Sequence, residues 1–166
     1  MRENQGQISG EYLFMTGVII LIIMLSAIFI SHEQELNVAM SAARNGVNDG
    51  VISSSSAIYP KQTYNDYSKS KSDLLLPHSV EIVNVSYSEM GIDKNYDKKK
   101  IQFNVYATSS KDFSKKELDS IGDRINYNLR KSLAISFNST SSTNKLYNPV
   151  FSPHYVFTTA NVKWVK

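Results

Sequence analysis

The sequence predicts an α+β protein: a long N-terminal helix with a membrane-spanning first half, then a small antiparallel sheet packed with one amphipathic helix. Three observations predict it. Residues 13–30 carry no ionisable side chain, residues 100–107 alternate apolar with polar cleanly and residues 78–88 imperfectly, and residues 118–133 repeat apolar side chains at helical spacing. With 166 residues, the chain has room for one modest domain beyond the apolar segment.

The first element lies in "QGQISGEYLFMTGVIILIIMLSAIFI", residues 5–30. Tyr12 to Ile30 is nineteen residues. As a helix that covers ~28 Å, close to the ~30 Å of a bilayer's hydrocarbon core. Tyr12 sits at the polar edge, where an amphipathic ring prefers to be. A secretory signal fits poorly, because its apolar region runs ~7–15 residues and ends in a small-x-small cleavage site. Arg2 precedes the span, His32, Glu33 and Glu35 follow it, and the next fixed positive charge is Arg44. That asymmetry favours a cytoplasmic N-terminus and an external C-terminal domain.

Glu11 stands directly before this run. A carboxylate at the bilayer centre costs ~2.5–3.5 kcal/mol on insertion scales. At the first turn of a helix it gains ~0.3–1 kcal/mol from the dipole and stays near the interface. Its best partner is a cationic amine at the same depth.

The stretch Gly6-Gln7-Ile8-Ser9-Gly10-Glu11-Tyr12-Leu13 resembles the class III signal peptide of archaeal type IV pilin-like proteins. In that family a prepilin peptidase cuts on the cytoplasmic side, before a Gln-x-Ser-x-Glu-Tyr-Leu motif. The hydrophobic segment stays on the mature protein. The resemblance implies cleavage between Gly6 and Gln7, with residues 1–6 as leader and Gln7, Ser9, Glu11, Tyr12 and Leu13 as the processing motif. It implies that Glu11 of an incoming subunit pairs with the freed ammonium of a neighbour's Gln7 and so sets axial register. The implied partners are the class III prepilin peptidase, a pilus assembly ATPase with its membrane platform protein, the membrane before assembly, and other pilins or copies of the chain. The resemblance covers roughly residues 5–50.

Beyond Ile30 the pattern turns amphipathic, with Leu36, Met40, Ala43, Val47 and Val51 on one face. Beside it, Ala39, Ala43, Gly46 and Gly50 form a small-residue stripe. Two readings stay open: close approach of another backbone, or glycines that weaken and end the helix. The helix is drawn over residues 7–52. Residues 53–77 are poor in aliphatics and carry Pro60, which predicts an exposed loop. The rest, 78–166, is the extracytoplasmic α+β domain.

A hairpin opens that domain. "HSVEIVNVSYS" puts Val83, Val85 and Tyr87 on one face, and "KIQFNVYA" turns Ile101, Phe103, Val105 and Ala107 inward. Residues 91–98 supply Gly, Asp and Asn for the turn. Ser114 with Glu117 then forms a capping box, and Phe113 with Leu118 a hydrophobic staple. Leu118, Ile121, Ile125, Leu129 and Leu133 follow as one stripe, a core helix with no ligand role. "FNSTSSTN" ends it, and residues 155–166 read as a strand closing the sheet, with Trp164 as anchor.

The remaining chemistry is sparse. The chain has no cysteine, which excludes disulfides, thiolate metal sites and cysteine nucleophiles. Net charge is +3 and scattered, with Lys98, Lys99 and Lys100 the one tight basic cluster. No aromatic interleaving accompanies it, so it reads as a solvated hairpin tip and no nucleic-acid partner is expected. His32, His78 and His154 are single and widely spaced, and no metalloprotease, phosphate-loop or nucleophile-elbow motif is present. No enzyme activity, metal or cofactor is expected. Two sequons, at Asn84 and Asn138, make those residues candidate N-glycosylation acceptors. The reading is a pilin: a structural subunit of a surface filament, held in the membrane as precursor. The alternatives are an uncleaved single-pass surface protein with a ligand-binding or adhesive domain, and a tip-located adhesive pilin.

Overall fold

A computed structural model describes residues 3–55 and 80–165, with side chains described over 9–52 and 80–165. The expected loop at 53–77 therefore falls outside the described residues, except that 53–55 close the first helix. His78 lies outside them too. The chain forms two compact units, Met1–Asn37 and Val38–Lys166.

Helix α1 is Glu3–Ser55. It continues past both glycines that could have ended it. In the second unit, Ala39, Ala42, Ala43 and Val47 are buried, along with Gly46 and Gly50. The small-residue stripe, more than the Met40 and Val51 positions, is thus the buried face. A Cβ on Gly46 would stand 2.5 Å from the Asn128 carbonyl oxygen and 2.7 Å from the Leu129 Cα; one on Gly50 would stand 2.8 Å from the Ile125 Cα. These are backbone atoms of the second helix. The close-approach reading holds: glycine lets two helix backbones touch where any side chain would wedge them apart.

That second helix, α2, is Lys115–Ser136. Its start follows the expected chemistry, with Glu117 Oε2 accepting from the Ser114 N–H at 3.0 Å and from the Ser114 hydroxyl at 2.8 Å. Ile121, Ile125, Leu129 and Leu133 are all buried. A short 3-10 turn, Thr140–Ser142, follows.

The sheet is built from β1 (Val80–Asp93), β2 (Lys98–Ser109), β3 (Val150–Phe151), β4 (Tyr155–Thr159) and β5 (Lys163–Trp164). Strand order is β1-β2-β4-β3, with β5 also on β2. The expected antiparallel sheet is corrected here: β1–β2 and β3–β4 are antiparallel, but β2 pairs with β4 and β5 in parallel. The reason is the β3–β4 hairpin: β3, the first strand after α2, runs against β2, so β4, turning back beside β3, runs with β2.

Two local expectations also change. Val83 is exposed at 57% rather than core-facing. A register shift between Ile82 and Asn84 leaves it as the extra residue of a bulge, while Ile82, Val85 and Tyr87 oppose Ala107, Val105 and Phe103. The hairpin connection is shorter than residues 91–98. Gly91, at φ +80°, lies within β1 by a second register shift, and the strand runs on to Asp93. There Asp93 Oδ1 accepts from the Asn95 N–H at 2.9 Å and shapes the turn.

The core centres on Phe157, whose ring lies 5.4 Å from Phe137, 5.9 Å from Phe103 and 6.0 Å from Tyr155. Ile101, Phe103, Val105 and Ala107 of β2 are buried as the alternation required.

Gly46→Ala sets two effects against each other. Helix propensity gains up to ~1 kcal/mol, whereas forcing a methyl against fixed backbone costs ~1–3 kcal/mol. The overlap involves atoms that cannot rotate away, so the variant is expected to melt several degrees lower. Gly17→Ala, with nothing within 4 Å, serves as control and should not melt lower. An unchanged or raised midpoint for Gly46→Ala means the two backbones are not in contact.

Candidate functional site

The first unit presents an uncovered apolar surface. From Tyr12 to Ile30 the large side chains are exposed: Leu13 at 76%, Phe14 at 75% and Phe29 at 67% mark the extent. The helix is long and apolar enough to cross a membrane, a composition a signal sequence shares. Only Thr16 and Ser26 are polar within 13–30. Each turns its hydroxyl back onto its own helix, Thr16 donating to the Tyr12 carbonyl and Ser26 to that of Ile22, both at 2.8 Å. The run therefore offers its surroundings no unsatisfied side-chain polar atom, which is what an apolar medium demands.

Ser9, Glu11, Tyr12 and Leu13 are all exposed on α1. Helical geometry does not bring them together: Ser9, Tyr12 and Leu13 share a face, and Glu11, two residues from Ser9, projects from the opposite side. No basic side chain among the described residues forms an ion pair with Glu11. Gly6 and Gln7 fall in the first turns of α1, in the stretch whose side chains are not described. In the second unit, Asn84 is exposed on β1 and Asn138 is exposed just beyond α2, at φ 50°.

One feature of the second unit escaped sequence reasoning. The first half of α2 and the Asn161–Trp164 segment enclose an open groove of about 430 Å³. Trp164, expected as an anchor, is only half-buried and lines this groove. Asn126 lines it as well, with 5% of its surface exposed. Its Nδ2 donates to the Ala160 carbonyl at 2.8 Å. Its Oδ1 is buried and has no hydrogen-bond partner. A buried acceptor left unpaired costs ~1–3 kcal/mol, and such groups are few in folded proteins. Sequence inspection missed Asn126 because it sits between Ile125 and Leu129 on a stripe that reads as plain core.

One turn further along α2, Arg130 is half-buried. It donates from Nη1 to Thr159 Oγ1 at 2.6 Å and from Nε to the Leu146 carbonyl at 3.1 Å. Burial pushes its guanidinium below the ordinary arginine value, and nearby Asp123 opposes that shift.

Among the described residues no group of three or more His, Cys, Asp or Glu is placed to hold a metal ion. His32 and His154 belong to different units. No protein-family model matches the chain, and neither does any curated protein or solved structure.

Proposed function

We propose that this chain is a structural subunit of an archaeal type IV pilus-like surface filament, assembled through α1 after cleavage between Gly6 and Gln7. The observation that carries the reading is the uncovered apolar helix with a lone carboxylate, Glu11, at its edge, inside the Gln-x-Ser-x-Glu-Tyr-Leu pattern. The chain is held in the membrane as a precursor, second unit outside, and passes into the filament core. A class III prepilin peptidase, an assembly ATPase and a membrane platform act on it, and its main partner is another copy of itself. It is not an enzyme.

Energetics favour this over a solitary anchor for one reason. Lipid tails are as apolar as leucine, so the run of residues 13–30 gains little hydrophobic free energy by exchanging lipid for a bundle of identical helices. Glu11 breaks the tie. Cleavage creates an ammonium on Gln7 of every neighbour, and a charge-assisted hydrogen bond to it stabilises the carboxylate where lipid cannot. The small favourable balance also explains why an ATPase is implicated: extraction from the bilayer is work.

The exposed Asn138, beside its Ser/Thr-rich turn, and the exposed Asn84 are the acceptors for N-linked glycans on the filament surface.

Three outcomes test this. Mass spectrometry of surface material should find chains starting at Gln7, and Gly6→Val should leave the precursor uncut; an intact residue 1–6 leader on surface protein favours the permanent anchor instead. Glu11→Ala should be processed normally yet lose most of its incorporation into fibres seen by electron microscopy, and wild-type fibre yield would make the charge dispensable. Peptide mapping should find added sugar mass on the Asn138 peptide; bare asparagine at both sequons removes the glycan assignment.

A further inference from the structure

The hairpin that joins β1 to β2 is apolar as well as basic. From the sequence, Lys98, Lys99 and Lys100 mark a solvated tip. In the fold the same tip also exposes Met90, Ile92 and Tyr96, with Ile92 at 66%. Ile92 pairs with Lys99, one step beyond the last core-facing side chain of β2, Ile101. Tyr96 stands edge-on to half-buried Phe151, ring centres 4.9 Å apart, which fixes an amphipathic side chain at the tip.

The charge around this patch is positive. Lys94, Lys98, Lys99 and Lys100 face Asp93 and Asp97 within residues 93–100, a net charge of +2. Lys98 Nζ donates to the Ser152 carbonyl at 2.7 Å, and Lys100 lies 3.9 Å from Asp93. Lys94 and Lys99 are exposed. The next acid along β1, Glu89, stands opposite Ile101, further from the tip.

The direction of the hairpin is an independent observation. Within the second unit, Val51 and Ile52 of α1 lie beside Val80–Ile82, and Arg44 lies beside Ile82–Val85. Strand and helix therefore run in opposite senses, and β1 heads back toward the end where α1 enters the unit, at Val38. From Val85 to Asp93 the strand covers roughly 26 Å, whereas Arg44 to Val38 is only ~9 Å of helix. The tip projects past that end. In the sequence, eight residues separate Val38 from Ile30, where the apolar run stops.

A patch of this kind selects its partner. A small anion satisfies the lysines and leaves Met90 and Ile92 in water. Nucleic acid offers phosphates but no hydrocarbon along its backbone. The tip of a second copy brings the same positive charge. The surface of an anionic bilayer supplies phosphate and hydrocarbon together, and tyrosine rings favour that boundary.

We propose that the β1–β2 hairpin docks on an anionic lipid surface: Lys94 and Lys99 reach lipid phosphates, while Met90, Ile92 and Tyr96 sit where headgroups meet acyl chains. This rests on the membrane placement of α1 proposed above and on no contact between copies.

A chain without cysteine takes one fluorophore at one chosen position. The full chain is reconstituted into phosphatidylcholine vesicles with or without phosphatidylglycerol, and a nitroxide lipid serves as quencher. Asn95→Cys, exposed at the tip, should be quenched in anionic vesicles and less in neutral ones. Lys116→Cys, exposed at the start of α2, is the control, because the α1–α2 contact places Ile125 against Gly50 and so puts residue 116 toward the opposite end of the unit. Lys94→Ala and Lys99→Ala should each lower the ratio of docked to undocked tip about fivefold. A tip label quenched no more than the control overturns the proposal. So does quenching that is equal in neutral vesicles, that survives both lysine variants together, or that tracks protein density in the vesicle and so reports neighbouring copies. Ile22→Cys reports the span separately: quenching there without quenching at residue 95 removes the hairpin contact and leaves the span standing, whereas an unquenched residue 22 removes the span while the tip label still decides the hairpin.

Discussion

A helix surface with no cover sets the terms for the rest of this molecule. Burying one Leu, Ile or Phe side chain stabilises by ~1.5–3 kcal/mol relative to water, and the run from Leu13 to Ile30 exposes more than a dozen large apolar side chains. A handful of them equals the ~5–15 kcal/mol that holds a typical domain together. The helix is long and apolar enough for a membrane to supply the missing cover. Its details agree with that constraint: Thr16 and Ser26 hydrogen-bond within the helix, and the nearest charge, Glu11, lies just outside the run. Lipid and a bundle of like helices both satisfy the apolar term. The carboxylate is what distinguishes them, and the proposed filament rests on that difference.

From Val38 onward α1 obeys a different rule. Large side chains give way to Ala39, Ala42, Ala43, Gly46 and Gly50 on the buried face, and dispersion across a short interhelical distance replaces bulk burial. Gly46 against the Asn128–Leu129 backbone and Gly50 against Ile125 fix where along α2 the contact falls. A chain without cysteine has no covalent staple, so this backbone-on-backbone contact and the rings around Phe157 carry the integrity of the second unit by packing alone.

Much of this was legible before any coordinates. Period-two alternation identified the core face of β2 without error, because a central strand has each side chain's fate decided by the pleat. The Ser114–Glu117 pair marked the start of α2, because the cap is local chemistry. What escaped was non-local. Val83 changes sides through a bulge, a property of pairing between two strands that neither strand announces. The parallel direction of β4 follows from the two-residue strand β3 that precedes it in a hairpin, too short to show an alternation of its own. Gly91 looked like a turn residue and serves a bulge instead, since both need positive φ. For the candidate sites the division is the same: the Gln7–Leu13 motif is contiguous and readable, whereas the groove joins residues 115–126 to 161–164 through folding.

The groove itself descends from one surplus residue. Lys99 and Tyr106 on β2 lie opposite Tyr155 and Lys163, so seven steps along one strand match eight along the other. The excess must leave the ladder, and it does so across Ala160–Val162, between β4 and β5. Ala160 keeps its N–H on the Phe103 carbonyl at 2.9 Å, and Val165 resumes on Ala107 at 2.8 Å. The Ala160 carbonyl, turned out of the ladder, needs a donor, and Asn126 supplies one. An amide cannot supply its N–H without also bringing its oxygen, and nothing in the described chain answers that oxygen. A leucine at 126 would have avoided the orphan but stranded the carbonyl. The bulge thus dictates a polar side chain in an apolar stripe, and that side chain brings with it one buried acceptor left without a hydrogen-bond donor.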